Sequence, residues 1–313
     1  MTELMKAVQI HEFGNQTVLK LNDIDIPVPD DHAVLIKVYA SSVNPVDWKI
    51  REGYLQGLLN HSLPLTLGWD VAGVVARIGS KVSNLKVGDD VYSRPNIANN
   101  GSYAQYMTVS ADEVALKPKS LSFQEAAGVP LAGLTAWQAM YEISNVQPGE
   151  RVLIHAGSGA VGQFAIQLAK LRGAFVYTTT SAKNTELVLS LGADQVINYQ
   201  QEDFSELRGL DIVFDTLGGD TLAKSWATLK QGGRIVSVVE NPDELKAKEL
   251  GIKAAFCFVQ PNAEQLTKLA QLADAGKFKV NIDSEFPLEQ VDQAHLRSES
   301  GRAQGKIIIN IAD

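Results

Sequence analysis

The hydrophobic residues in the first third of the chain fall into short runs, separated by polar breaks that contain proline or glycine. The runs Ala33 to Val43, Val71 to Gly79 and Tyr103 to Val109 are rich in Val, Ile and Tyr. The breaks include the segments "PVPDD" and "KVGDD". Short runs of this composition between turn-forming residues are typical of β-strands. The pattern therefore predicts a first domain built as a β-barrel or sandwich.

The pattern changes near residue 122, where we predict the start of a helix. The segment "SFQEAAGVPLAGLTAWQAMYEI" runs from Ser122 to Ile143, and Glu125 follows Ser122 by three residues. That spacing is the capping box, in which the two side chains bond to backbone N–H groups at the beginning of a helix.

From Arg151 onward, runs typical of strands alternate with runs typical of helices. The predicted strands are Arg151–His155, Phe175–Thr180, Gln195–Asn198, Ile212–Thr216 and Arg234–Val239, and the predicted helices between them are Val161–Leu171 and Thr185–Leu191. This alternation favours a parallel sheet with helices on both faces. The tail adds a helix in "AEQLTKLAQLADAG" and an extended end, "GKIIINIA", that could return to the first domain.

Composition and charge place the chain among ordinary globular proteins. With 313 residues it suits two domains, and its net charge of -8 provides no basic field that would gather nucleic acid or an anionic membrane surface. No segment approaches the roughly 20 apolar residues that span a bilayer. The start "MTELMKAVQIHEFG" lacks the features of a signal peptide, and a single cysteine fits a reducing compartment. We therefore expect a cytoplasmic protein with neither a nucleic-acid nor a membrane partner.

The residues that usually bind zinc are few and scattered. Structural zinc sites normally use four Cys or His ligands at close spacing, but the chain has one cysteine, Cys257, and five histidines without an HxxxH or CxxC pattern. We expect no metal site, and we expect the histidines to be surface or packed residues.

The segment "RVLIHAGSGAVGQFAIQLAK" carries the clearest chemical signal. Gly157, Gly159 and Gly162 fit the pattern G-x-G-x-x-G directly after an apolar strand and at the start of an amphipathic helix. In dinucleotide sites the first glycine allows a tight turn, the second lets the backbone approach a pyrophosphate, and the third lets helix and strand pack closely. The alternative is a tight turn in an α/β domain that binds no nucleotide.

The tip of the second strand indicates which dinucleotide fits. NAD sites usually place an acidic residue about 20 positions after the motif begins, where it grips the ribose 2′-hydroxyl. Here that region reads "YTTTSAKN", and the first acid is Glu186, inside the next predicted helix. A 2′-phosphate would meet no repulsion, and Ser181 and Lys183 could bind it. This favours NADP(H), although Lys183 could instead be a solvated loop lysine.

At this point the sequence resembles the medium-chain dehydrogenase/reductase superfamily, most closely its zinc-independent quinone oxidoreductase and enone reductase branch. The resemblance is carried by "PLTLGWDVAGVVARIGSKV", "VGDDVY", "LAGLTAWQAM", "QPGERVLIHAGSGAVGQFAIQLAK", "LGADQVINY", "DIVFDTLGGDTLAKSWATLKQGGRIVSV" and "AQGKIIINI". It implies an α/β protein with a GroES-like β-barrel catalytic domain over residues 1–122, completed by residues 261–313. It also implies a Rossmann domain, a doubly wound parallel sheet that binds NADP(H), over residues 123–260.

The chain departs from the zinc-dependent members of that superfamily. They carry a cysteine ligand near the segment that here reads "SVNPVDWK", the sequence Gly-His-Glu where this chain has Gly68-Trp69-Asp70, and a four-cysteine lobe that is missing here. Without a Lewis acid, alcohol oxidation loses its main electrostatic support, whereas hydride donation to an electron-poor acceptor needs less help.

The resemblance also implies roles for individual residues. The catalytic candidates are Asn44, Lys49 and Tyr54. The glycine turn and the resemblance together give these cofactor contacts: Asn44, Thr135, Gly157, Gly159, Ala160, Val161, Gly162, Ser181, Lys183, Tyr199, Leu217, Gly218, Phe256, Phe258, Gly305 and Lys306. Lys183 lies one place from the lysine of many relatives.

Several of these residues have structural alternatives. Asp47 is expected to be structural rather than catalytic, and Trp48 and Trp69 are expected to fill the core. Lys49 and Tyr54 could donate to a substrate, but Lys49 could equally be a lysine on the barrel surface. Tyr54 could equally be a packed aromatic residue.

Three functions remain open at the level of sequence. The first is an NADPH-dependent reductase whose partner is a small-molecule electron acceptor, a quinone or an α,β-unsaturated carbonyl compound. The second is a related oxidoreductase with an alcohol or ketone couple, and the third is a non-catalytic NADPH-binding module. Relatives often form homodimers through the edge of the nucleotide domain, and "AAFCFVQ", Ala254 to Gln260, is a candidate edge strand for such a homodimer.

Overall fold

The structure is a computed structural model that describes residues 3–312. Contacts between residues divide the chain into two units. The first unit runs to Leu131 and also takes in Gln260–Ala275 and the chain from Val280 onward. The second unit comprises Ala132–Val259 and Gly276–Lys279.

The strands are distributed over both units. In chain order they are β1 Leu4–Ile10, β2 Lys20–Asp25, β3 Ala33–Val43, β4 Leu65–Thr66, β5 Val71–Ile78, β6 Asp90–Ser93, β7 Tyr106–Ser110, β8 Val114–Leu116, β9 Arg151–Ile154, β10 Phe175–Thr180, β11 Gln195–Asn198, β12 Leu210–Asp215, β13 Leu229–Ser237, β14 Lys253–Phe256, β15 Ile282–Pro287 and β16 Lys306–Asn310.

The α-helices are short or of medium length. They are α1 Pro45–Arg51, α2 Phe123–Ala127, α3 Pro130–Trp137, α4 Ala160–Leu171, α5 Thr185–Ser190, α6 Gly219–Ser225, α7 Glu244–Leu250, α8 Ala263–Asp274 and α9 Val291–Glu299. A π-helical turn, Gln138–Ile143, continues α3. Within residues 3–312, no helix combines the length and the apolar character needed to cross a bilayer.

The first unit is β-rich, as its short apolar runs between turn-forming residues predict. A three-stranded sheet has the order β2-β1-β4, and a larger sheet has the order β15-β16-β3-β5-β6-β8, with β7 also paired to β3. Strand β3 is buried along most of its length because it contributes to two core clusters, one containing Val34, Ile36 and Val38 and the other containing Val43. The final strand β16 pairs antiparallel with β3, so the chain end returns to the first domain as predicted.

The second unit contains the predicted parallel sheet. Its order is β11-β10-β9-β12-β13-β14, and every neighbouring pair is parallel. Numbered from β9, this is the 3-2-1-4-5-6 order of the doubly wound Rossmann fold, in which ligands bind outside the carboxyl ends of the strands where the order reverses. Here the reversal lies between β9 and β12. Strand β14 forms one edge of the sheet, and it is shorter than the candidate edge strand Ala254 to Gln260.

The predicted helix at Ser122 does begin there, but it is not continuous. Ser122 Oγ accepts from Glu125 N at 3.1 Å, and the Glu125 carboxylate accepts from Ser122 N at 2.9 Å, which is the capping box. Helix α2 then ends before Gly128, and α3 starts at Pro130. Proline lacks the N–H that a continuing helix would use, whereas it is well tolerated at the first position of a new helix.

Candidate active site

The glycine turn between β9 and α4 gives its three glycines different physical roles. A Cβ built on Gly157 would lie 2.0 Å from Thr178 Oγ1, and one on Gly162 would lie 2.4 Å from the carbonyl oxygen of Ala156. Gly157 and Gly162 are therefore required by packing inside the protein. A Cβ on Gly159 meets only the Ala156 carbonyl, at 3.3 Å, and its φ of -76° suits any residue. Packing among the described residues therefore restricts position 159 much less than positions 157 and 162.

The space at Gly159 opens at the amino end of α4. The first N–H groups of a helix, here those of Ala160, Val161 and Gly162, have no acceptor within the helix and carry partial positive charge. Such a terminus binds phosphate groups readily. An open side of Gly159 next to these donors suits a pyrophosphate that approaches the backbone, so the turn fits a dinucleotide.

Five of the six parallel strands are followed by residues that the sequence predicts as cofactor contacts. Because the strands are parallel, these residues share one edge of the sheet. They are Gly157 after β9, Ser181 after β10, Tyr199 after β11, Leu217 and Gly218 after β12, and Phe256 at the end of β14 with Phe258 beyond it. Leu217, Tyr199 and Phe258 are exposed there, and Gly218 has a φ of 72° that favours glycine.

The tip of β10 carries no acid, in agreement with the sequence. Ser181 is partly buried and Lys183 is exposed. The Tyr199 N–H donates to the Thr180 carbonyl at 3.2 Å, which holds the exposed Tyr199 beside this tip. The three side chains proposed for a 2′-phosphate therefore border one corner of the sheet.

A buried polar cluster, here called the Asp70 cluster, lies in the first unit and consists of Ser42, Asn44, Asp70 and Lys306. Asp70 Oδ2 accepts from Ser42 Oγ at 2.5 Å, from Asn44 Nδ2 at 2.7 Å and from Lys306 Nζ at 3.0 Å. Lys306 Nζ also donates to Asn44 Oδ1 at 2.7 Å. The Asp70 and Lys306 side chains are 0% and 2% exposed, so the pair is a fully buried salt bridge.

This cluster changes the expectation for Asn44 and Lys306. The sequence predicts a direct cofactor contact for each, but their polar atoms bond to each other and to Asp70, and Asn44 is only 3% exposed. The structure thus gives both residues partners within the protein, and their contacts with a cofactor remain predictions. Gly305 is likewise explained by packing, because its φ is 113° and an added Cβ would lie 2.2 Å from the Asn281 carbonyl.

The segment Gly68-Trp69-Asp70 corresponds to Gly-His-Glu in the zinc-dependent members. The side chains of Trp69 and Asp70 both have hydrogen-bond partners within the protein. Trp69 is buried and its indole N–H donates to the Asn99 carbonyl at 3.1 Å. Asp70 Oδ1 accepts from Leu131 N at 2.6 Å, which adds a backbone donor to the cluster. Between residues 3 and 312 no three His, Cys, Asp or Glu side chains gather into a group that could hold a metal ion.

Asp47 lies beside the Asp70 cluster on α1. Its Oδ2 accepts from Asn44 N at 2.8 Å and from the Tyr103 hydroxyl at 2.8 Å, while Oδ1 is buried without a partner. Burial raises the pKa of Asp47 from 3.8 to about 7, chiefly because the charged form is poorly solvated there. These contacts to the start of α1 and to a core tyrosine fit the structural role expected for Asp47.

The raised pKa of Asp47 makes a pH-dependent contribution to stability. Because the folded-state pKa lies above the unfolded one, this contribution is full below pH ~4 and is lost as pH rises through about 7. Asp47→Asn removes the titration and keeps one acceptor oxygen. We expect the free energy of unfolding of the natural protein to fall relative to the variant by up to about 4 kcal/mol between pH 4 and 8.

Urea denaturation of both proteins over that pH range measures the difference. Buried His295, whose pKa is lowered to about 3 by burial and by Arg51, is present in both proteins, so its own titration cancels. Parallel stability curves would show that Asp47 does not titrate in this range.

The remaining catalytic candidates lie together on and after α1. The Lys49 ammonium sits 5.7 Å from the centre of the Trp48 ring, and Tyr54 packs edge-on against the same ring with centroids 6.3 Å apart. Tyr54 is 68% exposed, so it is not a buried aromatic residue. Among the described residues, no side-chain hydrogen bond joins Lys49 or Tyr54 to the Asp70 cluster. Thr135 is buried on α3.

The two fully buried histidines are packed residues, as expected. The His155 ring lies between Thr179 Oγ1 at 3.2 Å and Ser225 Oγ at 2.9 Å. Burial lowers the pKa of His155 to about 4, so it is neutral at physiological pH. His155 therefore stabilises the carboxyl edge of the sheet without carrying charge there.

Sequence reasoning missed a polar network in the second unit. Ser158, the residue between the first two glycines, bonds to Thr180 and Asn184 at the tip of β10. The position of Ser158 inside the motif was a usable signal. The position of Asn184 in the sequence gave no such signal, because its contact with Ser158 depends on how the loop after β10 folds back.

Comparison with known proteins agrees with this geometry. The family described as "Alcohol dehydrogenase GroES-like domain" matches residues 30–119, and the family described as "Zinc-binding dehydrogenase" matches residues 191–309. The 2-methylene-furan-3-one reductase of Solanum lycopersicum is 39% identical over 324 residues, which cover 98% of this chain and 79% of that protein.

Solved structures are similar over nearly the whole chain. The quinone oxidoreductase from Coxiella burnetii has 38% identity and a TM-score of 0.92, covering 99% of this chain and 100% of that one. A mycobacterial protein in complex with NADPH has 28% identity and a TM-score of 0.88, covering 98% and 99% of the two chains. With a GroES-like match in its first unit, a Rossmann sheet in its second and relatives of this identity along its whole length, the chain belongs to the medium-chain dehydrogenase/reductase superfamily.

Proposed function

We propose that this protein is an NADPH-dependent oxidoreductase that transfers hydride to quinones or α,β-unsaturated carbonyl compounds without zinc. The observation that carries the proposal is the turn at Gly159, the residue directly before α4, where an added Cβ would meet one atom within 4 Å and where the first N–H groups of the helix are free. A dinucleotide accounts for glycine at this position, where packing within the protein is only a weak restriction.

The cofactor is proposed to be a nicotinamide dinucleotide with a 2′-phosphate. The tip of β10 carries Ser181 and Lys183 in place of an acid, and Tyr199 lies beside them. A hydroxyl and an ammonium favour a phosphate, and one hydrogen bond to a charged group is worth about 1.5–3 kcal/mol, or on the order of ten- to a hundredfold in affinity. The mycobacterial relative in complex with NADPH supports the same choice.

The acceptor is proposed from the names of the relatives. A quinone oxidoreductase and a furanone reductase act on compounds that share an electron-poor conjugated carbonyl group. When bound, NADPH supplies the hydride, so the protein has to bind and orient the two reactants. The exposed hydroxyl of Tyr54 is the proposed proton donor, with solvent as the alternative source.

Independence from zinc is proposed from the Asp70 cluster. The carboxylate at the position of the glutamate in zinc-dependent members is balanced by the Lys306 ammonium and receives bonds from Ser42 and Asn44. The preceding residue is a tryptophan, which offers no lone pair to a metal. An acceptor that is already electron-poor does not need a Lewis acid to take up hydride.

The test is NADPH oxidation by the purified protein with an ortho-quinone, a para-quinone, a short enone and an aldehyde, with NADH run alongside and with a metal chelator added in parallel. We expect turnover of a quinone or enone, preference for NADPH and no effect of the chelator. Chelator-sensitive turnover would contradict the zinc-free mechanism, and equal use of NADH would contradict the 2′-phosphate site. Tight NADPH binding without turnover of any acceptor would favour a non-catalytic module.

A further inference from the structure

A row of polar residues crosses neighbouring strands at one end of the larger sheet in the first unit. In strand order its members are Lys306 at the start of β16, Asn44 directly after β3, Asp70 directly before β5 and Arg94 directly after β6. Strands β5 and β6 are antiparallel with Val71 opposite Ser93, so one further step of the same register places Asp70 opposite Arg94. Arg94 therefore borders the Asp70 cluster, to which the other three residues belong.

Arg94 differs from the rest of this row because its guanidinium has no partner. The residue is only 2% exposed, yet within residues 3–312 its side chain donates no hydrogen bond and forms no ion pair. The inner nitrogen, Nε, is covered by the protein, whereas the terminal Nη1 and Nη2 amino groups keep accessible surface. Arginine side chains at this depth are normally hydrogen-bonded, and here the unused donors point toward the accessible side.

The charges around Arg94 leave it positively charged without neutralising it by direct contact. The carboxyl groups of Asp70, Glu113 and Asp47 attract it at longer range, and each of them already accepts hydrogen bonds from other donors. Burial lowers the pKa of Arg94 from 12.5 to about 10, so burial outweighs the attraction of these carboxyl groups. The guanidinium therefore stays protonated at neutral pH and remains able to donate to a further acceptor.

A charged guanidinium with unused terminal amino groups matches an oxygen that carries negative charge. The proposed reaction creates such an oxygen. When an enone takes up hydride from NADPH at its β-carbon, a C–H bond forms, the C=C electrons shift toward the carbonyl, and the carbonyl oxygen becomes an enolate anion as NADPH is oxidised to NADP+. A quinone that takes up hydride becomes a hydroquinone monoanion in the same way. A proton from Tyr54 or solvent then completes either product.

We propose that Arg94 donates hydrogen bonds from its terminal amino groups to the carbonyl oxygen of the acceptor and stabilises the negative charge that hydride uptake places on that oxygen. This rests on the proposed function, because it takes the acceptor to be a quinone or an enone. Arg94 then performs the electrostatic task that a metal ion performs as a Lewis acid. Because the anion gains more from this contact than the neutral carbonyl does, the contact speeds the reaction rather than only tightening binding.

The experiment measures binding of 4-nitrophenol to the protein in the presence of saturating NADP+. The 4-nitrophenolate ion resembles a hydroquinone monoanion and absorbs visible light, whereas the neutral phenol does not. At a fixed pH, the absorbance of the bound probe compared with the free probe gives the preference for the anion. The variants are Arg94→Met and Arg94→Gln, and the matched control is Arg77→Met on β5, where the side chain is 55% exposed. Thermal unfolding and steady-state kinetics with a quinone and an enone are measured in parallel.

We expect the natural protein to bind the phenolate at least about tenfold more tightly than the phenol, since one hydrogen bond between charged groups accounts for that factor. Arg94→Met and Arg94→Gln should lose most of this preference, and their kcat should fall by at least about tenfold with little change in KM. Arg77→Met should change none of these values. The melting temperature of Arg94→Met should not fall, because methionine replaces a charge that burial disfavours.

Other outcomes separate this inference from the proposed function. If the natural protein binds NADP+ but does not prefer the phenolate, the inference is wrong while the cofactor site stands. If Arg94→Met lowers the melting temperature and leaves the preference unchanged, Arg94 is only a structural counter-ion and the inference is again wrong. If Arg94→Met does not fold, an unchanged preference in Arg94→Gln overturns the inference by itself. If the natural protein does not bind NADP+, the proposed function fails, and this inference fails with it.

Discussion

Gly159→Ala is expected to weaken NADPH binding by about a hundredfold or more while the protein loses little stability. The added methyl group would occupy the space through which a pyrophosphate reaches the first N–H groups of α4. Loss of one or two hydrogen bonds to a charged group, at about 1.5–3 kcal/mol each, is enough for a change of that size. Little stability should be lost because the φ of -76° at Gly159 suits alanine, and the one nearby atom, the Ala156 carbonyl oxygen at 3.3 Å from the new Cβ, has to move by only a few tenths of an ångström.

Gly162→Ala is the matched control in the same turn. Its Cβ would lie 2.4 Å from the Ala156 carbonyl oxygen and 2.8 Å from the Gly157 Cα, both backbone atoms. We expect this variant to lose about 1–3 kcal/mol of stability, because a strained fit in a packed region costs that much. Titration of NADPH followed by fluorescence, together with thermal unfolding, distinguishes the two variants. Unchanged NADPH affinity in Gly159→Ala would show that the turn does not hold the pyrophosphate.

The sequence predicts the second unit well because its local signals agree with its fold. Parallel strands are covered on both faces, so they appear as apolar runs, and β10 and β11 have the predicted ends. The G-x-G-x-x-G pattern similarly predicts the turn between β9 and α4. Each of these features depends on residues that are close together along the chain.

Features that depend on distant residues were not predictable in the same way. Strand β15 reads "IDSEFP" and is only partly buried, so its own sequence does not distinguish it from a loop, and it is a strand because β16 lies beside it. The tail strand β16 was predictable as a strand, but the meeting of Lys306 with Asp70 was not, since 236 positions separate them. Likewise, Asn184 reads as an ordinary loop residue until the chain folds back onto Ser158.

The same limit applies to Asn44 and Lys306, whose predicted contacts with a cofactor remain predictions. Asn44 and Lys306 were singled out by resemblance, which identifies positions but not the partners of a side chain. The structure pairs them with each other across the Asp70 cluster. Within the protein, Asn44 bonds to both members of the buried salt bridge between Asp70 and Lys306 and so holds that pair in place.

Lys306→Met is expected to destabilise the first unit strongly. Removing the ammonium leaves the buried Asp70 carboxylate with hydrogen bonds from neutral donors only, those of Ser42, Asn44 and the Leu131 backbone, and with the buried Arg94 as the remaining cation that interacts with it. Breaking one side of a buried pair typically costs about 3–5 kcal/mol, and we expect the lower part of that range here because Arg94 still compensates part of the Asp70 charge. For a unit of this size that corresponds to a fall in melting temperature of about 10 °C, measurable by calorimetry.

The double variant Asp70→Asn with Lys306→Met tests whether the pair itself is responsible. The amide introduced at position 70 would keep an acceptor oxygen for Ser42 or the Leu131 N–H, and no unpaired charge would remain. We expect the double variant to be more stable than the sum of the two single changes by about 1–3 kcal/mol, since residues in direct contact couple by this amount. Strict additivity would mean that Lys306 contributes through the packing of its methylene chain, and the Asp70 cluster would then be a set of independent hydrogen bonds.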